Sequence, residues 1–168
     1  GKPNSLAANA CYTACIDREN NLWIGTSNGI SKLNSGSLIL RSWTDEFSTT
    51  LNGGLMSVVK GQDQMIYASV YYGQAYQLNP LTGKVRPWLH PLNANNWNLF
   101  LKGDEVIRTG RGNQLLSYNT KTGKLNVLNY LQPFYPDVEL VVMGFVHSNG
   151  DEWYCANRNG GFARKLAG

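Results

Sequence analysis

Apolar and polar residues alternate along this chain in short runs, such as Lys124–Leu128 and Val141–Val146. No window holds apolar residues at i, i+3, i+4 and i+7 through three turns, so long amphipathic helices are excluded. The pattern predicts an all-β protein. The runs also recur. A bulky residue before a step of small residues falls at Trp23, Tyr67, Ile107 and Trp153, spaced by 44, 40 and 46 residues. The apolar residue ending the following strand falls at Leu33, Leu78, Tyr118 and Leu166, spaced by 45, 40 and 48. Two anchors keeping one period of roughly 40–48 residues predict four-stranded antiparallel units, the blades of a β-propeller.

The units read as residues 4–49, 50–92, 93–136 and 137–168. In the first, the predicted strands are Cys11–Ile16, Leu22–Thr26, Ile30–Asn34 and Leu38–Trp43. Hairpin signals follow the third strand at Asn34-Ser35-Gly36, and as N-x-x-T-G-K at Asn79–Lys84 and Asn119–Lys124. Trp23, Tyr67, Trp43 and Trp88 recur with the repeat and read as packing between neighbouring sheets. The fourth unit ends after its third strand, which predicts about three and a half blades of a larger ring. Such an arc leaves sheet faces open. The expected partners are therefore the remaining blades of a longer chain, or copies of this one.

The first unit resembles the two-component regulator propeller repeat. The resemblance rests on Asn4-Ser5-Leu6, Asn9, Asp17, Leu22-Trp23-Ile24-Gly25-Thr26 and Gly29-Ile30, with Asn20 or Asn21 where the family has Gly and Ile30 where it has Leu. The other units follow it by spacing, as in Ile66–Ser69, Val106–Gly110 and Glu152–Cys155. It implies a segment of the extracytoplasmic sensor of a hybrid two-component histidine kinase, periplasmic and anchored through its parent, with many such receptors detecting polysaccharide breakdown products. Kinase activity would lie elsewhere in the parent, and this segment is expected to be no enzyme.

Composition narrows the reading further. Fifteen Lys and Arg against 11 Asp and Glu give a net charge of +4, but the basic residues are scattered singly. A nucleic-acid partner would need them clustered. No apolar run approaches the ~20 residues of a membrane span. No basic-then-apolar leader opens the chain, and Gly1 reads as the start of an excised piece. Cys11 and Cys15 fall on one strand roughly 13 Å apart, beyond disulfide reach. A Cys15–Cys155 link stays open, while the plainer expectation is three small buried residues on strands. Two histidines 57 residues apart offer no metal-ligand spacing with these cysteines, so neither metal nor cofactor is expected.

In a propeller, the loops between second and third strands and those joining blades gather at one end of the channel. They place Asn28, Tyr71, Tyr72, Arg111, Asn157 and Arg158 there, with Trp97 from a blade-to-blade loop. Aromatic faces cover sugar C–H surfaces, while Asn and Arg hydrogen-bond hydroxyls or uronate carboxylates, so the expected ligand is an oligosaccharide. For Asn28 the competing reading is that a tight turn needs it. Asp17 reads as a turn residue satisfying backbone donors. The carboxylate pairs Asp104-Glu105 and Asp151-Glu152 read as turns at the opposite end. Two other readings stand beside the sensor. A protein-interaction propeller would take no small ligand. A propeller lyase or glycosidase would have to draw on Asp45, Glu46 and His90.

Overall fold

The computed structural model describes residues 4–37, 39–44, 54–71, 74–88, 98–110, 114–129, 131, 133, 141–157 and 161–167. The described residues form strands joined by turns, with no helix among them. The first sheet contains β1 (Cys11–Ile16), β2 (Leu22–Thr26), β3 (Gly29–Leu33) and β4 (Leu40–Trp43). The second contains β5 (Leu55–Lys60), β6 (Ile66–Val70), β7 (Ala75–Leu78) and β8 (Val85–Trp88). The third contains β9 (Leu99–Lys102), β10 (Glu105–Arg108), β11 (Leu115–Asn119) and β12 (Leu125–Leu128). The fourth contains β13 (Val141–Val146), β14 (Glu152–Ala156) and β15 (Gly161–Lys165). In each sheet, strands lie in chain order and every pairing is antiparallel. These are β-propeller blades, the last one three-stranded among the described residues.

Hydrogen-bond register superimposes the blades residue by residue. Leu22 pairs with Leu33, Ile66 with Leu78, Val106 with Tyr118 and Glu152 with Lys165. The repeat anchor of the fourth blade is therefore Lys165. Leu166, expected there from hydropathy, lies one residue past the strand. The inner strands of the first, second and fourth blades share a register shift, at Cys11/Thr13, Leu55/Ser57 and Val141/Met143.

A blade alone cannot hide either face of its sheet, so successive blades stack and the core is divided among their junctions. Trp23, Ile30 and Trp43 of the first blade pack on Leu55, Val58, Ile66, Ala68 and Leu78 of the second. Tyr67, Ala75 and Trp88 pack on Leu99 and Val106 of the third. Phe100, Ile107, Leu115 and Leu131 pack on Val141, Tyr154, Ala156 and Ala163 of the fourth. Rings stand on both sides of each junction: Tyr76 of the second blade joins Trp23 and Trp43, Tyr118 of the third joins Tyr67 and Trp88, and Tyr154 of the fourth meets Phe100 at 5.9 Å. Trp23 and Trp43 stack at 5.7 Å, and Trp88 meets Tyr67 edge-on at 4.6 Å. Among the described residues, no such cluster joins the fourth blade to the first. Ser5 O accepts from Ser42 Oγ, and the Ala7 amide donates to Ser31 Oγ, so residues 5–7 lie against part of the first blade's outer face.

The cysteines depart from expectation: Cys11 is exposed, Cys15 and Cys155 are half-buried, and all three are free. Glu105 and Glu152 are also misplaced by the sequence reading. Each is the first residue of its strand, and Glu152 is buried where other blades carry an aliphatic residue. Its carboxylate accepts from Tyr154 Oη at 2.5 Å, Lys165 Nζ at 2.8 Å and Lys102 Nζ at 2.9 Å.

Gly29 opens β3 with φ at +139°, and a Cβ there would come within 2.0 Å of the Trp43 carbonyl oxygen. Gly29→Ala is expected to lower the urea midpoint by the equivalent of roughly 1–3 kcal/mol or more. Gly36→Ala, where nothing lies within 4 Å of the added carbon, should stay within about 0.5 kcal/mol of the parent.

Candidate functional site

The two ends of the blade array differ in chemistry. One end carries the β2–β3, β6–β7, β10–β11 and β14–β15 loops. Here Asn28 is exposed in a tight turn. Its amide donates to Thr26 Oγ1 at 3.2 Å, while that hydroxyl donates to the Gly29 carbonyl at 2.9 Å. The turn accounts for the backbone of Asn28 and leaves its side chain at the surface. Tyr71 follows β6, half-buried, with its amide donating to the Gly54 carbonyl at 3.2 Å. Asn157 follows β14, and its Oδ1 is buried with no hydrogen-bond partner among the described residues. A buried acceptor left unpaired costs about 1–3 kcal/mol, so a donor arriving there is favoured. The structure thus puts Asn28, Tyr71 and Asn157 in equivalent loops of three blades. Tyr72, Trp97, Arg111 and Arg158 lie outside the described residues, as do Asp45, Glu46 and His90.

The other end is laced by charge. Asp17 Oδ1 accepts from the amides of Glu19 and Asn21 at 3.1 and 2.8 Å, the turn role its sequence position predicts. It does more than that: Oδ2 accepts from Trp23 Nε1 at 2.8 Å and from Lys60 Nζ of the next blade at 3.3 Å. Lys60 also pairs with Glu19. Arg18 Nη1 donates to Gln62 Oε1 at 2.7 Å, and Gln62 Nε2 reaches the Gly103 carbonyl at 3.5 Å, carrying the lacing to the third blade. Burial would raise the Asp17 carboxyl, but the Trp23 and Asn21 hydrogen bonds and the Lys60 charge outweigh it and hold it well below the usual carboxylate range. Burial, then the Asp17 charge, pushes the neighbouring Cys15 thiol up to about 11, so it stays protonated at neutral pH.

A cavity of about 120 Å³ opens at this laced end, lined among others by Cys15, Asp17, Lys60, Gln62, Gln64 and Leu101. Repeat spacing did not reveal it, because a residue of one blade meets its ionic partner from another only after stacking. Its charges neutralise one another, and its thiol is not a nucleophile at neutral pH. Among the described residues, no group of three His, Cys, Asp or Glu side chains has the geometry to hold a metal ion, and no helix is long and apolar enough to cross a membrane.

No protein-family model matches the chain, and no curated protein matches it. Solved structures do. The extracellular domain of the hybrid two-component system BT3049 from B. thetaiotaomicron matches 97% of this chain and 21% of its own, at 15% identity and a TM-score of 0.71. That of the one-component system BT4673 from the same organism matches 95% of this chain and 21% of its own, at 19% identity and 0.64. YCF48 bound to D1 peptide matches 94% of this chain and 51% of its own, at 13% identity and 0.69. The chain has the fold of these propellers. It spans about a fifth of the two sensor domains and about half of YCF48.

The Asp17 lacing has a pH signature. A carboxyl whose folded value lies below its unfolded value of about 3.9 stabilises fully above that value, and the contribution is lost as pH falls toward the folded value. Between pH 5 and pH 2.5, the melting temperature of the parent protein should therefore fall more steeply than that of Asp17→Asn. At pH 7 the variant should be the less stable by about 1–3 kcal/mol. Parallel melting curves across the acid range would show that Asp17 carries no such coupling.

Proposed function

We propose that this chain is a run of blades from the extracytoplasmic sensor propeller of a two-component signalling receptor, and that its loop end takes a carbohydrate-derived ligand. The likeness to the BT3049 and BT4673 extracellular domains supports the sensor reading. The observation that carries the ligand reading is the buried, unpartnered Asn157 Oδ1 in the same set of loops as Tyr71 and Asn28. A sugar hydroxyl supplies the missing donor, and the phenol ring offers a face for the apolar side of a pyranose. Arg111, Arg158, Tyr72 and Trp97 belong to the same site in this reading, with the arginines selecting acidic sugars. Signal output, including any kinase chemistry, belongs to other parts of the receptor, and this segment does none.

YCF48, a propeller of the same fold bound to a peptide, favours a second reading, in which the loop end holds a protein segment. A thermal-shift panel of neutral and uronate-containing oligosaccharides separates the two. Ligand at a hundredfold excess over Kd stabilises by about 2.7 kcal/mol, which is several degrees of Tm at this size. A shift with one sugar class, reduced at least tenfold in affinity by Asn157→Ala and unaffected by Gln62→Ala at the laced end, is the expected outcome. A flat panel would remove the carbohydrate reading and leave the peptide one.

A further inference from the structure

Each four-stranded blade ends in a rim strand, β4, β8 or β12, that pairs on one side only among the described residues. Such an edge offers unpaired peptide groups to any strand laid beside it, and proteins block it with charge or proline. The rim lies outside the junctions between blades, so its edge stays open in a ring of any size.

Register tells which peptide groups of each rim strand point outward. The Asn34, Asn79 and Asn119 amides donate to the Ile39, Lys84 and Lys124 carbonyls. Along an antiparallel strand the peptide groups of successive residues alternate between the two sides. Those of Arg41, Arg86 and Asn126 therefore face the neighbouring strand. The outward groups belong to Leu40 and Ser42, to Val85 and Pro87, and to Leu125 and Val127. The three edges then differ. In β8, Pro87 has no outward N–H to donate, and Arg86 stands between the two outward residues. In β4, Arg41 stands at that middle position, and the Ser42 hydroxyl bonds Ser5 and Ser31. The β12 edge has neither charge nor proline, and its Leu125 and Val127 side chains are 42% and 48% exposed.

The order of β12 is also its own complement. Laid antiparallel on a second β12 about a twofold axis through Asn126, Leu125 of each copy faces Val127 of the other. Both outward N–H groups and both outward carbonyls of each strand then find partners. The exposed apolar side chains meet as cross-strand pairs. The two Asn126 side chains meet across the axis, with Cα atoms about 4.5 Å apart, where two arginines would repel. No charge occurs from Leu125 to Leu131. Antiparallel order also keeps the two Lys124 four residues apart, roughly 14 Å along the strand, whereas parallel order would set them side by side. Hydrogen bonding, hydropathy and charge thus all fit a second copy of this chain.

We propose that the rim of the third blade is a self-association surface, where β12 of two copies pair antiparallel about Asn126 and join their sheets into one. The contact leaves Asn28, Tyr71 and Asn157 outside it, so it holds whatever the loop end binds. Strands this short bury less than the roughly 1,200 Å² of a standard interface, so the pair forms at high concentration, about 0.1–1 mM.

The test is sedimentation equilibrium of the 168-residue chain from about 10 μM to 1 mM. The average mass should rise from 18.6 kDa toward twice that value. Val127→Pro and Asn126→Arg should each hold the chain monomeric throughout. Both should melt within a few degrees of the parent, because the second blade already folds with Pro87 and Arg86 at these positions. An equimolar mixture of Asn126→Arg and Asn126→Asp should dimerise more tightly than either variant alone, since opposite charges then meet across the axis. A parent chain that stays monomeric at 1 mM overturns the proposal. So does a dimer left intact by Val127→Pro, which would have formed through another surface. A mixture no tighter than its components overturns the register about Asn126.

Discussion

The packing of one blade's sheet face on the next, with aromatic rings at each junction, is the contact on which the rest of this molecule depends. A sheet of four strands of four to six residues buries too little by itself to be stable, and each blade needs a neighbour on both sides. Trp23 with Trp43, Tyr67 with Trp88, and Phe100 supply that cover in turn. The direction of the contact is set by the strand period: successive residues point to opposite faces, so Trp23 faces the second blade and Leu22 and Ile24 lie on the opposite face.

Close approach and charge then refine the stack. Gly25 leaves no room for a side chain between the first two blades, and Gly144 does the same beneath Phe100 at the last junction. The laced end adds bonds that cross blades: Lys60 to Asp17 and Glu19, and Lys102 to Glu152. Asp17 and Glu152 are both buried carboxylates that accept from several donors, the condition under which a buried charge is tolerated. Toward the loop end the cross-blade bonds are uncharged, from Ser57 to Leu99 and from the Gly144 amide to Asn98 Oδ1, and the unpartnered Asn157 acceptor lies there. A scaffold held by its junctions and by cross-blade bonds at both ends leaves the loops between strands free to vary for recognition.

Much of this was legible before any coordinates. Strand positions, the propeller class, the hairpin turns and the interior place of Trp23, Tyr67, Trp43 and Trp88 follow from alternation and period, because these are local consequences of chain geometry. Asp17 was legible as a turn residue, since a carboxylate two to four residues before free amides bonds them wherever the fold puts it. Burial was less legible. Cys11 reads as an inner-strand residue, yet it is exposed, since no other blade packs on its face among the described residues. Glu152 reads as a turn carboxylate, yet it is buried by Lys102 from another blade, Lys165 and Tyr154.

The sequence by itself therefore determined where most strands run, where each blade turns and which positions recur from blade to blade. Those properties depend on neighbours a few residues apart. Only the tertiary structure decided which residues pair within a blade, that Lys60 belongs to Asp17, that the cavity lies at the laced end, and that Asn157 keeps an acceptor unpaired among the described residues. These depend on how whole sheets stack, and the alignment between blades is carried by hydrogen-bond register and shared bulges, which leave no mark in hydropathy.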